Sequence, residues 1–296
     1  MKSPFRKLIA IPDWNTPIQK ANAVVFGIPL ENTPTCKPGA KLGTFVRASY
    51  IMVESYFPEL NIDALLDTKV HDAGDLLDIP LGDSNLAVQK IMEAVDWIKQ
   101  KNEKALIVAI GGDHTIPYPM VKALKPASVI SFDTHLDILP EWNGVKYTHT
   151  SQNYWIREEL GCQLLFVGVE SFERVAWEYI QKHDIPVVIG LNFDLGSDSA
   201  MQEFEKFLML LPDPVYITID IDCLKDIDDM EIKGHISLGQ LTVMLTKIFK
   251  KKRVVGVDIC ELHSDKILSR QFFVGLTLLY YIVALNEVFG ARKEAQ

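Results

Sequence analysis

Cysteine is scarce in this sequence, and its spacing is uninformative for metal or disulfide chemistry. The 296 residues include four cysteines, none of them in a C-x-x-C pair: Cys36, Cys162, Cys223 and Cys260. A zinc ribbon or a disulfide framework needs closely paired or regularly spaced cysteines, so neither is indicated. The apolar stretch at 8–11 is too short for the core of a signal peptide. We therefore expect a reducing, cytoplasmic setting.

The chain also lacks an excess of basic charge and a long apolar run. Its formal net charge of −9 argues against a nucleic-acid partner, because neutralising phosphates requires clustered Lys and Arg. The longest apolar run, Phe272 to Leu285, is shorter than the ~20 residues that span a bilayer and predicts a buried helix rather than a membrane partner. An acidic protein would instead suit a small cationic substrate.

Short apolar runs, each ending at glycine or a charged residue, are what the chain has in abundance. Uninterrupted apolarity of this length is typical of strands buried on both faces. The runs cover 23–27, 105–111, 128–132, 164–168, 186–190, 215–219 and 254–257. Helical patterns lie between them, including 84–101 with a serine cap and 171–183, and this alternation predicts crossover helices. We expect an α/β fold: one domain, residues 1–296, with a three-layer, doubly wound, mainly parallel sheet.

The residues that follow four of these runs are rich in carboxylates and imidazoles. In parallel sheets, ligands bind beyond the carboxyl ends of the strands, so these positions are where chemistry is expected. The groups are Gly111-Gly112-Asp113-His114, Asp133-x-His135-x-Asp137, Asp220-x-Asp222, and Asp258 with Glu261. Such a set is large for one metal ion but suits two ions that share bridging carboxylates. Its oxygen-rich chemistry favours manganese or a similar divalent ion.

These motifs, in this order, resemble the ureohydrolase superfamily, which includes the arginases and agmatinases. The segment from Pro38 to Arg47 is similar to that family's proline- and glycine-rich entry segment, and the likeness covers roughly residue 25 to the C-terminus. The resemblance implies an arginase-like fold and a centre of two manganese ions. The six ligands that it implies are His114, Asp133, His135, Asp137, Asp220 and Asp222. It also suggests a homo-oligomer, either a trimer or a hexamer.

The resemblance further implies three catalytic residues. Asp137 matches the ligand that holds a metal-bridging hydroxide and passes a proton to the leaving amine, and His149 matches a proton shuttle. Glu261 matches the glutamate that pairs with a substrate guanidinium, and a carboxylate can bind that planar cation through two hydrogen bonds. A guanidinium is a poor electrophile, so its hydrolysis needs the strong nucleophile that two cations generate from water.

Other candidate residues receive less weight or none. His263 could face the same cleft as Glu261, and Trp142 and Tyr147 could stack on a cationic substrate, although packing explains these two aromatic residues as well. The remaining histidines receive no role: His71, His183 and His235. The glycines at 111 and 112 are expected to allow a tight turn that brings His114 to the metals.

Three departures from the family pattern leave the substrate open. Thr134 stands where the family usually has alanine, and the segment 223–237 replaces an Asp-Pro pair followed by a glycine- and proline-rich loop. The late motif reads Glu261-Leu-His-Ser264, without the usual Asn-Pro pair. The pocket's shape is therefore not fixed by the resemblance.

Agmatine is the leading substrate, with putrescine and urea as products, because the segment 138–149 looks closer to agmatinases than to arginases. One alternative is a related amidinohydrolase that acts on guanidinobutyrate, arginine or formiminoglutamate. Another is a metal-binding homologue that has lost catalysis, which the changed segment after Asp222 motivates. The complete ligand set argues against this loss, because a costly cluster of carboxylates is not maintained without selection.

Overall fold

The structure of this chain is centred on one large β-sheet. The computed structural model describes residues 2–7, 9–32, 39–80, 82–195, 198–225, 227, 233–263 and 269–290. Cys36, Pro38, Ser264, and residues 226 and 228–232 of the changed segment lie outside these ranges.

Nine strands form this sheet within the described residues, and two short strands form a separate hairpin. In chain order the strands are β1 (Phe5–Arg6), β2 (Ala23–Gly27), β3 (Tyr56–Phe57), β4 (Ile62–Asp63), β5 (Val70–Leu76), β6 (Leu106–Ile110), β7 (Ser128–Phe132), β8 (Gln163–Val169), β9 (Val187–Ile189), β10 (Val215–Asp220) and β11 (Val254–Cys260). The spatial order in the sheet is β1-β5-β2-β6-β11-β10-β7-β8-β9. Strand β1 is antiparallel to β5, while all other neighbours pair in parallel.

Helices cover both faces of the sheet, as expected for a three-layer fold. They are α1 (Ser84–Lys101), α2 (Pro117–Leu124), α3 (Gln152–Glu158), α4 (Arg174–Lys182), α5 (Ser199–Leu210), α6 (Leu238–Lys251) and α7 (Arg270–Phe289), with 3₁₀ turns at Ile18–Lys20, Ala40–Met52, Gly190–Phe193 and Ile221–Cys223. Helices α1 to α4 pack with Val24 and Phe26 on one face, and α5 to α7 pack with Val25 on the other. Alternate residues of a strand therefore pack into two separate cores, one on each face of the sheet. The predicted three-layer, mainly parallel α/β fold is confirmed.

The seven predicted strands are all present, with ends that shift by a few residues. Strand β5, however, was not predicted from its sequence, Val70-His-Asp-Ala-Gly-Asp-Leu76. Its aspartates interrupt the apolar pattern that identifies a buried strand. A partner from a distant segment makes their burial possible, and no local pattern reveals that partner.

Two helix starts also differ from the prediction. Helix α1 has the expected bounds, but its N-cap is Asp83, whose side chain accepts a hydrogen bond from the Leu86 backbone N–H at 3.0 Å. The expected serine cap, Ser84, is instead the first helical residue, because either residue type can cap and the aspartate comes first along the chain. Helix α4 begins at Arg174, three residues later than the pattern at 171–183 indicates.

Helix α7 contains the longest apolar run, and it is mostly core. Among the described residues it is one helix whose length and composition would allow it to cross a membrane, yet 61% of its most apolar window is buried inside the molecule. It packs against the 3₁₀ segment Ala40–Met52 and against α6. This packing accounts for its apolar sequence.

The order of the strands brings four strand ends together. The chain passes from β6 to β7 over a gap that β10 and β11 later fill, which gives the spatial order β6-β11-β10-β7. These strands are parallel, so their carboxyl ends meet at one edge of the sheet. Crevices at such reversals of strand order are where α/β proteins bind ligands. The predicted site motifs lie at or directly after the ends of these four strands, except that Asp258, expected after the last strand, lies within β11.

Arg47 is the partner that allows the aspartates of β5 to be buried. Its side chain is fully buried, and one guanidinium nitrogen, Nη1, lies 2.6 Å from Asp72 Oδ1. The other, Nη2, bonds to Asp75. A Cβ atom on Gly27 would collide with the Asp75 carboxylate, so glycine at this position leaves room for the ion pair. The pairing ties the segment Ala40–Met52 to the sheet.

Replacing Arg47 by methionine is expected to lower the free energy of unfolding by about 3–5 kcal/mol, because two buried carboxylates then lose their cationic partner. The measurement is urea denaturation of the purified protein. Lys90→Met is the matched control, because Lys90 Nζ lies 3.8 Å from Glu93 at the surface, and such pairs contribute at most about 1 kcal/mol. Equal effects of the two substitutions would contradict this account.

Candidate metal centre

Two triads of potential metal ligands lie at the carboxyl edge of the sheet. In the first, His114 Nδ1 is 3.0 Å from Asp133 Oδ2 and 3.0 Å from Asp137 Oδ2. Asp220 Oδ2 lies 3.6 Å from the same nitrogen. His114 and Asp133 are fully buried, so these groups face each other with little water between them.

The second triad shares Asp133 with the first. His135 Nδ1 lies 3.3 Å from Asp133 Oδ1 and 3.1 Å from Asp222 Oδ2. In each triad the potential ligand atoms lie within 4.8 Å of one another. Five of the six predicted ligands thus form two triads joined by Asp133, which directs one carboxylate oxygen at each histidine, and the sixth, Asp220, lies beside His114.

Local backbone geometry orients these carboxylates. Asp133 Oδ1 accepts a hydrogen bond from the His135 backbone N–H at 2.7 Å, and Asp220 Oδ1 accepts one from Asp222 at 2.9 Å. The turn before His114 depends on Gly111, which has a φ of 84° and whose Cβ would lie 2.6 Å from the backbone nitrogen of Thr44. The tight turn expected at this glycine is therefore present.

Crowding of negative charge dominates the electrostatics of the cluster. Burial, together with repulsion by Asp222 and Asp133, raises the pKa of Asp220 well above its usual range. Burial lowers the pKa of His135, but its bonds to Asp133 and Asp222 outweigh that effect and raise it to about 12. Each shift shows that added positive charge stabilises the cluster. A donor set of four carboxylates and two imidazoles fits hard divalent cations.

Of the three residues with predicted catalytic roles, Asp137 belongs to the first triad, while Glu261 and His149 lie next to it. Burial raises the pKa of Asp137, but bonding to His114 and the charges of His114, His135 and His149 lower it overall. His149 is thus within electrostatic range of the Asp137 carboxylate. Glu261 Oε1 accepts a hydrogen bond from the His114 backbone N–H at 2.7 Å, and Glu261 Oε2 contacts the His263 ring. His263 therefore contacts Glu261, and the roles of these residues stay predictions.

The structure adds residues that no motif indicated. Gln152, at the start of α3, places its Nε2 2.9 Å from Asp137 Oδ2 and 3.1 Å from His114 Nδ1. Nothing in the sequence around Gln152 marks it as part of a site. Thr134, where the family usually has alanine, donates its hydroxyl to Asp222 Oδ2 at 2.6 Å. That hydroxyl orients a candidate ligand.

The segment that carries His149 is anchored by Glu159. This carboxylate accepts hydrogen bonds from Tyr118 at 2.8 Å, from Lys122 at 2.7 Å and from Lys146 at 3.2 Å. The Tyr147 ring stacks on Tyr118 with a centroid separation of 4.5 Å. Packing therefore explains Tyr147, one of the two aromatic residues considered for substrate stacking. The other, Trp142, is 37% exposed.

The changed segment after Asp222 reaches the rim of the cluster through His235. Its Nδ1 lies 2.5 Å from Asp194 Oδ2, and its Nε2 lies 3.1 Å from Glu170 Oε2. Glu170 follows β8, and its backbone N–H donates to the carbonyl of Thr134 at 2.9 Å. His235 thus has a structural connection to the site, although no sequence motif indicated a role for it.

Known proteins share this sequence pattern and fold. The model of the arginase family matches residues 21–282. An agmatinase of Pyrococcus horikoshii is 28% identical over 279 residues, which cover 91% of this chain and 93% of the relative. An N(1)-aminopropylagmatine ureohydrolase of Thermococcus kodakarensis is 28% identical over 278 residues, covering 92% of this chain and 93% of the relative.

Solved structures show the same fold. The agmatine ureohydrolase of Thermoplasma volcanium superposes with a TM-score of 0.82 at 23% identity, covering 98% of both chains. The formiminoglutamase of Trypanosoma cruzi with Mn²⁺ gives a TM-score of 0.77 at 21% identity, over 92% of this chain and 95% of the other. The chain belongs to the arginase family, whose members are hydrolases of the C–N bonds of amidines.

Because Asp133 belongs to both triads, Asp133→Asn is expected to weaken the binding of two divalent ions. His135→Asn is expected to weaken the binding of only one of them. The loss should exceed the roughly 10–100-fold that removal of an outer hydrogen-bond partner costs. Equilibrium dialysis against Mn²⁺, followed by elemental analysis, gives the number of ions per chain. If Asp133→Asn kept one ion at full affinity, the shared role would be wrong.

Glu159→Gln is expected to loosen the segment that carries His149 and to speed tryptic cleavage after Lys146 several-fold. Burial raises the pKa of Glu159, but its bonds to Lys122, Tyr118 and Lys146 lower it to about 2. Its contribution to stability is therefore complete above its unfolded pKa and is lost only as the pH falls towards 2, so digestion at pH ~8 tests the full effect. Glu178→Gln, at an exposed position of α4, is the control, and trypsin should cleave it at the same rate as the unmodified protein. Unchanged cleavage in both variants would show that Glu159 does not anchor the segment.

Proposed function

We propose that this protein hydrolyses agmatine to putrescine and urea with the help of two manganese ions. The observation that carries the proposal is the pair of triads that share Asp133, bordered by Glu261 and His149. The two ions would be held by His114, Asp133, His135, Asp137, Asp220 and Asp222. When bound, they would supply the positive charge that makes water a strong nucleophile near neutral pH.

Glu261 would orient the guanidinium group. Its two oxygens already accept from the His114 backbone N–H and contact His263, and these contacts hold the carboxylate in place. A carboxylate can accept about four hydrogen bonds, so it retains capacity for two N–H groups of a planar cation. The guanidinium group would then be held beside the metal cluster.

Asp137 and His149 would manage the protons. Hydrolysis adds one water: its oxygen becomes the carbonyl oxygen of urea, and the C–N bond to the alkyl amine breaks. The departing amine must be protonated, because a free amide anion is a very poor leaving group. Asp137 would take up a proton that the water loses and pass it to that nitrogen, and His149 would exchange protons with the solvent.

The choice of agmatine rests on charge and on the relatives. Agmatine carries two cationic ends, which suits a chain with a net charge of −9. Its carboxyl-free tail needs no cationic partner at the rim, where the structure has Glu170. N(1)-aminopropylagmatine is the second candidate, because it has the same guanidino group and a longer cationic tail, and one relative is named for it. Arginine, guanidinobutyrate and formiminoglutamate carry a carboxylate and are less suited to this rim.

The proposal also covers the setting and the assembly. We propose a cytoplasmic protein, which suits the free thiols of Cys162, Cys223 and Cys260. We propose that it assembles as a homotrimer or homohexamer. Exposed apolar side chains on α5, with Met209 at 62% and Leu210 at 68%, would be available for contacts between copies. Light scattering after size exclusion measures the assembly directly.

The test of function is urea release from a panel of agmatine, N(1)-aminopropylagmatine, arginine, guanidinobutyrate and guanidinopropionate by manganese-loaded protein, with release of glutamate and formamide measured for formiminoglutamate. We expect urea and putrescine from agmatine in a 1:1 ratio, and no urea from an Asp133→Ala/Asp220→Ala double variant. His149→Asn should bind manganese normally but lower kcat by about 10²–10⁴-fold.

Two results would contradict the proposal in different ways. Urea from another compound of the panel, with none from agmatine, would keep the chemistry and change the substrate. No product from any compound, with two ions bound per chain, would favour the alternative of a metal-binding homologue without catalysis.

A further inference from the structure

A chain of buried hydrogen bonds lies behind His114, on the side away from the candidate ligands. The His114 ring is 1% exposed, and its Nε2 lies 2.8 Å from the hydroxyl oxygen of Thr218. That hydroxyl lies 2.7 Å from Asp258 Oδ1. Asp258 is fully buried and belongs to neither triad. It therefore has no role among the candidate ligands.

Chemistry fixes the direction of each bond in this chain. Asp258 receives three donors: the hydroxyl of Thr218, the hydroxyl of Tyr216, and the thiol of Cys260 at 3.1 Å. An ionised carboxylate only accepts hydrogen bonds, so the hydroxyl of Thr218 donates its hydrogen bond to Asp258. The oxygen of Thr218 must then accept from His114, which places a proton on Nε2. The lone pair of Nδ1 is therefore the one that the ring can offer to a cation.

The sheet holds the chain of bonds rigidly. Thr218 on β10 pairs with Asp258 on β11 in parallel register, and His114 follows β6, the other neighbour of β11. Gly256 makes room for the Tyr216 ring, because a Cβ there would lie 2.9 Å from a ring carbon. Groups on central strands hold their positions better than groups on loops.

We propose that Asp258, acting through the hydroxyl of Thr218, is a positioning residue that selects the tautomer and ring orientation with which His114 binds the first of two metal ions. The inference rests on the proposed function, since it assumes that the triad of His114, Asp133 and Asp137 holds a divalent cation. Histidine ligands commonly donate their second ring N–H to an acceptor that fixes the tautomer. Here a hydroxyl lies between the imidazole and the carboxylate.

The test is Mn²⁺ binding to metal-free protein, measured by calorimetric titration for Thr218→Val and Asp258→Asn. Both variants preserve the size of the side chain. We expect each substitution to lower the affinity for the ion of the first triad by about 10–100-fold, while the affinity for the ion of the second triad changes much less. Thr218→Ser, which restores the hydroxyl, should restore the affinity.

The matched control is Ser131→Ala. Ser131 is a buried hydroxyl on β7, paired in register with Thr218, and within the described residues its oxygen has no hydrogen-bond partner. This control should bind both ions like the unmodified protein. Urea denaturation of every metal-free variant separates a loss of affinity from a loss of folding, and Thr218→Val keeps the test usable if Asp258→Asn does not fold.

The outcomes distinguish the inference from the proposed function. Two ions bound by the unmodified protein, with unchanged affinities in Thr218→Val and Asp258→Asn, would overturn the inference and leave the function standing. An unmodified protein that binds fewer than two ions would overturn the proposed function, and the inference with it. Weakening in Thr218→Val that Thr218→Ser does not reverse would also overturn the inference.

Discussion

Mutual repulsion of buried carboxylates is the constraint on which the rest of this structure depends. Four aspartates converge at the ends of two adjacent parallel strands, β7 and β10, and three of them, Asp133, Asp220 and Asp222, are almost inaccessible to solvent. Burying unpaired charge of this density is far more costly than a small domain can sustain. The imidazoles of His114 and His135 offset part of the cost. The remainder calls for cations from outside the chain.

Elsewhere in the molecule, a smaller group of buried carboxylates is neutralised by a side chain of the protein itself. On β5, Asp72 and Asp75 are buried against the guanidinium of Arg47, which supplies the cation permanently. At the strand-end cluster, described contacts to Asp133 come from imidazoles and backbone groups. The contrast separates a structural ion pair from a site built to receive ions.

Much of the fold and of the cluster could be predicted from sequence, because both follow local rules. Apolar runs marked the buried strands, and polar residues directly after them marked one edge of the sheet. The parts that could not be predicted depend on distant partners. Strand β5 could not be recognised because its aspartates, which pair with the distant Arg47, interrupt the apolar pattern. Gln152 contacts His114 only because helix α3 packs beside it. His235 reaches Glu170 from a segment whose sequence departs from the family pattern.

The most direct test of the central claim is a crystal structure of the manganese-loaded protein with anomalous scattering measured at the manganese absorption edge. The account predicts two anomalous peaks about 3.5–4 Å apart, with the carboxylate of Asp133 between them and His114 and His135 on opposite sides. A single peak, or two peaks that do not share Asp133, would contradict the claim that these strand ends form one centre for two ions.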